Sequence, residues 1–400
     1  DLLISTAADQ IPITTGYVVK QWQENNRAYF HYKMDKEVMN WYAISSARYA
    51  VKQTTHRGIG IRFYYHPRHE TNVSTMIESA KASLDYYIDN FGPYRYSQLK
   101  YAELPNFSYS FGATSYPNTI YSVEFRGFHM DQTNPENLNV AYLQVSHEIA
   151  HQWWADQLEP AIMAGYRFLT ETLAEYSETS VYRQKYGMNG LKQYLSEMTN
   201  LYLRQRGFSS ADEKPLYLAQ DQSFVNYQKG VLAMHALRGL IGEEKINLAL
   251  SRFINDNSYP KNPTSTELLD YFYQVADSAD YQQIDDLFKR VVIYDIGIDS
   301  VETTRRGREQ ELNIKLSAEK IINTDNGQAI EALNEVIEIA IYSGDPRLES
   351  SQLLYLQKHR VSSKTSWIKL IVDQSASHVV IDPNYYKIER DRFNNVYKLN

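Results

Sequence analysis

"HEIAHQWW" at residues 147–154, followed by "FLTETLAEYSE" at residues 168–178, decides how this chain is read. Residues four apart on a helix lie one above the other on one face. His147 and His151 therefore project side by side, close enough for both imidazoles to bind one ion. Glu148 sits about 100° further round and reaches the solvent side of that ion. A hydrolytic zinc site wants three protein ligands and one open position for water, so one ligand must come from elsewhere. A bare HExxH also arises by chance on solvated helices, and the context has to carry the argument.

The second stretch supplies that context. Glu171 stands near the start of a second helical segment, with residues 152–170, nineteen positions, between it and His151. A helix–loop–helix of this spacing brings Glu171 back to the open side of the histidine pair. Glu175 and Glu178, one and two turns on, are placed to accept hydrogen bonds from the histidines' free N–H groups. Three glutamates at spacings of four and three also describe a solvated stripe. The apolar Phe168, Leu169, Leu173, Ala174 and Tyr176 among them indicate instead a helix packed on several sides.

Composition narrows the class. The 400 residues, 43% hydrophobic and 22% charged, suit a globular protein of two or three domains. With 41 basic against 48 acidic residues, a net charge of −7 and no basic block, nucleic acid is not the expected partner. Cysteine is absent, which excludes disulfides, thiolate metal sites and cysteine nucleophiles. No apolar run approaches the roughly 18–20 residues needed to cross a bilayer. The chain opens on Asp1 without a signal-peptide pattern, and reads as a processed chain or a soluble piece of something longer.

Three regions emerge along the chain. "YVVKQWQ", "RAYFHYKM" and "GIGIRFYYHP" read as strands, so residues 1–68 form a β segment. Ile77, Ala80, Leu84, Ile88 and Phe91 then recur at helical spacing up to Gly92-Pro93. Helical text returns over about Pro135–Gln157 and Phe168–Tyr186, and again from "NYQKGVLAMHAL" to "IDDLFKRVV", giving a mostly helical region 69–295. "DSVETTRRGREQ" reads as a polar connection. Beyond it "LNIKLS", "VIEIAIY", "TSWIKLIVD" and "HVVID" alternate, so residues 296–400 read as a small β-sandwich. His66, His69, His129 and His235 show no metal-ligand spacing and are taken as structural or surface residues.

"HEIAHQWW" followed by "TETLAEYSE" resembles the zinc aminopeptidases of the membrane alanyl aminopeptidase family, gluzincins that include the leukotriene-A hydrolases. Their glutamate follows HExxH after about eighteen residues; the extra residue here reads as a one-residue loop insertion, because Ala174, Glu175 and Tyr176 stay in step after Glu171. The resemblance implies an α+β fold: a thermolysin-like catalytic domain flanked by an N-terminal β segment and a C-terminal β-sandwich. It implies one Zn2+ ion held by His147, His151 and Glu171, with Glu148 as general base and a peptide as substrate. The family also carries an oxyanion-steadying tyrosine before a Lys-Gly pair, which maps onto Tyr227 ahead of Lys229-Gly230.

One motif departs from the family. Its amine-recognising glutamate sits in a GAMEN loop after a segment like "LPDF". Here "LPNF" at 104–107 precedes "GATSYPNTIYSVE", so Gly112 and Ala113 match but Ser115 falls at the glutamate and Tyr116 at the asparagine. Losing one charge-assisted contact costs about 1.5–3 kcal/mol of amine binding, unless Glu103 or Glu124 compensates. In this degenerate loop the chain is similar to the peptidase-like domains fused to bacterial ABC transporter permeases. That likeness implies an extracytoplasmic location and attachment to membrane-spanning segments outside this chain. It also sustains a second reading, a zinc-retaining module that binds or regulates without cleaving.

Overall fold

The computed structural model describes residues 1–400 except 107–110, 135, 325, 349, 374 and 400, and the side chains of 306 and 373. Phe107 of the "LPNF" segment and the expected helix start at Pro135 lie outside the described residues. The chain forms two compact units, residues 1–194 with 243–276 and residues 195–242 with 277–400. They do not coincide with the three expected segments.

The first unit opens with a three-stranded antiparallel sheet of β1 (Leu2–Ala7), β3 (Tyr17–Glu24) and β4 (Arg27–Lys33), beside the pair β2 (Ile11–Ile13) and β5 (Ser45–Ala47). A five-stranded sheet follows: β6 (Ala50–His56), β7 (Ile59–Tyr65), β8 (Gln98–Leu104), β9 (Ala113–Tyr116) and β10 (Thr119–Val123), in the order β6-β7-β8-β10-β9. β7, β8 and β10 run parallel, and β9 closes one edge antiparallel to β10. This sheet includes β6 and β7, so the expected boundary at residue 68 cuts through it. β8 is buried on both faces for six of its seven residues, as parallel strands covered by helices are.

Helices α1 (Val73–Phe91) and α2 (Val140–Ala150) pack on each other, and α2 also packs on β9 and the turn Glu124–Arg126. α2 is shorter than the expected helix. Asn139 caps it by accepting the Tyr142 N–H at 3.0 Å, and the chain turns away after His151. Within that turn Ala155 takes φ 144°, a backbone region that side chains avoid. The second helical stretch opens as a π turn, Phe168–Thr172, and continues as α3 (Leu173–Phe208), kinked at Gly187. In chain order α3 is followed by α4 (Gly230–Ile241), α5 (Glu243–Asn257) and α6 (Ser265–Val275). Thr264 and Glu267 form a capping box on α6.

Among the described residues the second unit holds α4, α7 (Tyr281–Phe288) and eight strands. These are β11 (Val291–Arg306), β12 (Glu309–Thr324), β13 (Gly327–Ala332), β14 (Glu335–Tyr342), β15 (Leu353–Val361), β16 (Thr365–Asp373), β17 (His378–Ile381) and β18 (Val396–Lys398). One sheet joins β11, β12, β13 and β16; the other runs β15-β14-β17-β18. Ile296, Ile298, Leu312, Ile314 and Leu316 of the first share one core with Ile337, Ile339, Ile341, Val379 and Ile381 of the second, which is a sandwich. "DSVETTRRGREQ" is not a connection: it is the far end of the β11–β12 hairpin, turning at Gly307 with φ 64°. The molecule is thus mixed α+β with β structure at both ends. Among the described residues no helix is long and apolar enough to cross a membrane.

Candidate metal centre

The spacing in "HEIAH" does what helical geometry requires. His147 and His151 leave α2 on one face, with their Nε2 atoms 3.2 Å apart. The π turn holds one residue more per turn than an α-helix, and from it Glu171 directs Oε2 to 3.6 Å from His147 Nε2 and 3.4 Å from His151 Nε2. Four ligands about 2.0–2.1 Å from a tetrahedral zinc stand about 3.3 Å apart. A triangle with edges of 3.2, 3.4 and 3.6 Å fits one face of that tetrahedron.

Charge is arranged to suit a cation. Burial pushes the His147 and His151 imidazoles down, but Glu171 and its neighbours outweigh it and hold both above the usual histidine value, His147 well above. Burial likewise pushes Glu171 up, yet the two imidazoles hold it well below the carboxylate range. The field that favours protons on these imidazoles favours a cation between them.

Outer partners orient the two imidazoles. His147 Nδ1 lies 3.3 Å from Glu178 Oε2 and 3.6 Å from Glu175 Oε1. Among the described residues both carboxylates thus face His147 and not His151, whereas sequence reasoning shared them between the histidines. His151 Nδ1 is 3.0 Å from the Trp154 carbonyl, which a donated ring N–H satisfies. Tyr194, which no local pattern marks, turns its hydroxyl to Glu175 and to Glu178, the latter at 2.8 Å. Burial, with Glu178 beside it, raises the Glu175 pKa.

Glu148 points elsewhere. Gln144 Nε2 donates to its Oε1 at 2.8 Å, while Oε2 is buried with no hydrogen-bond partner among the described residues. Burial raises its pKa above the ordinary carboxylate value, against the pull of His151 and His147.

The loop that departs from the family lies on the same unit. Gly112 accepts the Val123 N–H, Ala113 pairs with Ser122, and Ser115 pairs with Ile120 along β9. Ser115 Oγ accepts from Gln152 Nε2 at 2.6 Å, which ties the loop to the residue after His151. Glu103 and Glu124 engage His69. Tyr227 belongs to the second unit, on a second π turn, Val225–Lys229. That turn is anchored by Lys229, 1% exposed, whose Nζ donates to Glu213 at 2.6 Å. His235 is buried, with Nε2 2.7 Å from the Asn384 carbonyl.

A family model described as "Peptidase family M1 domain" matches residues 75–291. Aminopeptidase N of Haemonchus contortus is 24% identical over 244 residues, which are 56% of this chain and 24% of that protein. The crystal structure of Legionella pneumophila aminopeptidase A in complex with aspartic acid shares the fold, with a TM-score of 0.67 at 14% identity, over 98% of this chain and 44% of that one. The chain spans less than half the length of either protein.

Proposed function

Since the chain belongs to peptidase family M1, a family of zinc metallopeptidases, we propose that it hydrolyses peptide bonds as a zinc-dependent peptidase of the aminopeptidase type, with a thermolysin-like catalytic domain. The observation that carries this reading is the His147–His151–Glu171 triangle, sized for one tetrahedral zinc ion. Zinc held there supplies Lewis acidity, polarising a carbonyl and making water more acidic.

The chain's own groups do the rest. Glu148, oriented by Gln144 through one oxygen, uses the other to take the proton of the attacking water and pass one to the leaving amine. Its raised pKa brings proton uptake and release closer in energy. Tyr227 donates a hydrogen bond to the carbonyl oxygen as negative charge develops on it. Lys229, locked to Glu213, holds the turn that presents that tyrosine.

Substrate binding falls to β9. It ends the sheet order, and among the described residues no strand pairs with its other edge, where we place an added peptide strand along Gly112, Ala113 and Ser115. Ser115 contributes a hydroxyl already engaged with Gln152 and no charge. Discrimination for a free N-terminal amine is therefore weaker than a carboxylate at this position gives. By the likeness of this loop to the transporter-fused domains, we place the chain on the extracytoplasmic face of a bacterial membrane, joined to spans outside it.

The test is a peptide offered with a free and with an acetylated N-terminus. The zinc-loaded chain should cleave the free form faster and the acetylated form more slowly, lose both activities on chelation, and regain them with zinc; equal cleavage of both would mark an endopeptidase-like site instead. Zinc-loaded protein that binds the peptides and cleaves neither contradicts the proposal in favour of a binding module.

A further inference from the structure

Three histidines and two glutamates gather where the parallel strands β7, β8 and β10 end. His66 follows β7, Glu103 is the penultimate residue of β8, and Glu124 follows β10. His69 Nδ1 contacts Glu103 Oε1 and lies 3.9 Å from Glu124 Oε2. One ligand-capable atom each from His69, Glu103 and Glu124 stands within 4.8 Å of the other two. The His66 and His129 rings flank that of His69, at 4.7 and 4.8 Å between centroids.

The two carboxylates are aimed. The second oxygen of Glu103 accepts the His66 backbone N–H at 2.6 Å, and the second oxygen of Glu124 accepts the Asn106 N–H at 3.1 Å. Each backbone bond fixes its carboxylate and leaves the other oxygen turned to His69, which is how outer partners orient metal ligands. Glu103 is 5% exposed. Among the described residues no lysine or arginine forms an ion pair with either carboxylate. Converging carboxylates repel unless a positive charge stands between them.

We propose that His69, Glu103 and Glu124 form a second divalent-cation site of the zinc class, separate from the His147–His151–Glu171 centre. One imidazole with two carboxylates is a donor set for zinc and neighbouring first-row metals. A cation there holds together three strand ends that share no sequence proximity. It also braces the Glu124–Arg126 turn, which packs on α2, and the Gly112–Val123 link to β9. The proposal does not rest on the peptidase reading.

Metal content after dialysis against zinc, and visible absorption after cobalt(II) loading, test it on the whole chain and three variants. The chain should hold two equivalents. His69→Ala and the more exposed Glu124→Gln should each fall towards one, with circular dichroism confirming that they fold. His147→Ala/His151→Ala should retain one, with its cobalt bands. If His69→Ala and Glu124→Gln take up as much metal as the unaltered chain, the second site is overturned. If only the His147→Ala/His151→Ala variant matches the unaltered chain, the second site stands and the first fails, so the two readings separate.

Discussion

Glu178 Oε2 stands 3.3 Å from His147 Nδ1, while the other nitrogen of the same ring faces Glu171 at 3.6 Å. One imidazole is thus gripped on both sides, with its tautomer set by the outer carboxylate. Outer partners of metal-bound histidines are typically worth roughly 10–100-fold in metal affinity. Glu178→Gln should weaken zinc binding by about that factor with the fold unchanged, as read by competitive titration against a chelating dye. Unaltered affinity would show that Glu178 does not position His147.

Ser115 marks the edge where a substrate amine is expected, and it carries no charge. Ser115→Glu places a carboxylate there while keeping an acceptor for Gln152. A new charge-assisted contact of about 1.5–3 kcal/mol should raise the preference for free over acetylated peptides roughly 10–100-fold, mainly through KM. A preference that does not move places amine recognition elsewhere.

Ala155 sits at φ 144° immediately after the two tryptophans. Backbone in that region costs a residue with a Cβ about 1–3 kcal/mol, and glycine very little. Ala155→Gly should therefore stabilise the chain by about 1 kcal/mol, after allowing for the greater freedom of glycine in the unfolded state. Chemical denaturation of the first unit's fluorescence checks this, and a loss of stability contradicts it.

Glu389 predicts how the second unit responds to pH. It is 0% exposed, and one oxygen accepts the Ile296 N–H at 2.8 Å. Burial lifts its pKa to about 8, although the Ile296 N–H and Arg392 pull the other way. A folded pKa above the unfolded one gives stability that is full below about pH 4.5 and is lost as pH rises towards 8. Glu389→Gln should remove that loss, so its advantage over the unaltered chain should grow across this window. The upper bound is about 4 kcal/mol at pH 8. Parallel denaturation curves at pH 5 and pH 8 show whether the gap opens.

The convergence of His147, His151 and Glu171 was legible because its information is local. The four-residue spacing of the histidines and the spacing of four and three through Glu171, Glu175 and Glu178 survive without knowledge of the fold. The C-terminal strands were legible for the same reason, since buried Leu312, Ile314 and Leu316 alternate with the half-buried polar Asn313, Lys315 and Ser317. The far end of β11 was not: from Glu302 to Arg305 its side chains are exposed and polar on both faces, so the alternation that signals a strand is missing there. The π turns under Glu171 and Tyr227 were hidden too, because one extra residue inside a helix reads as an insertion in a loop. Contacts made by strand pairing left no trace at all. Glu103 meets His69 across 34 positions only because β7 and β8 run parallel, and Tyr194 reaches Glu178 as one of 34 tyrosines.

The most direct test of the account is Glu148→Gln, assayed for zinc content and peptide hydrolysis on the same preparation. The ligand triangle does not include Glu148, so zinc should stay at the level of the unaltered chain. Hydrolysis should fall by several decades, because an amide cannot take the water's proton. Zinc retained with turnover unchanged would contradict the assignment of Glu148 as the base, and with it the proposed chemistry.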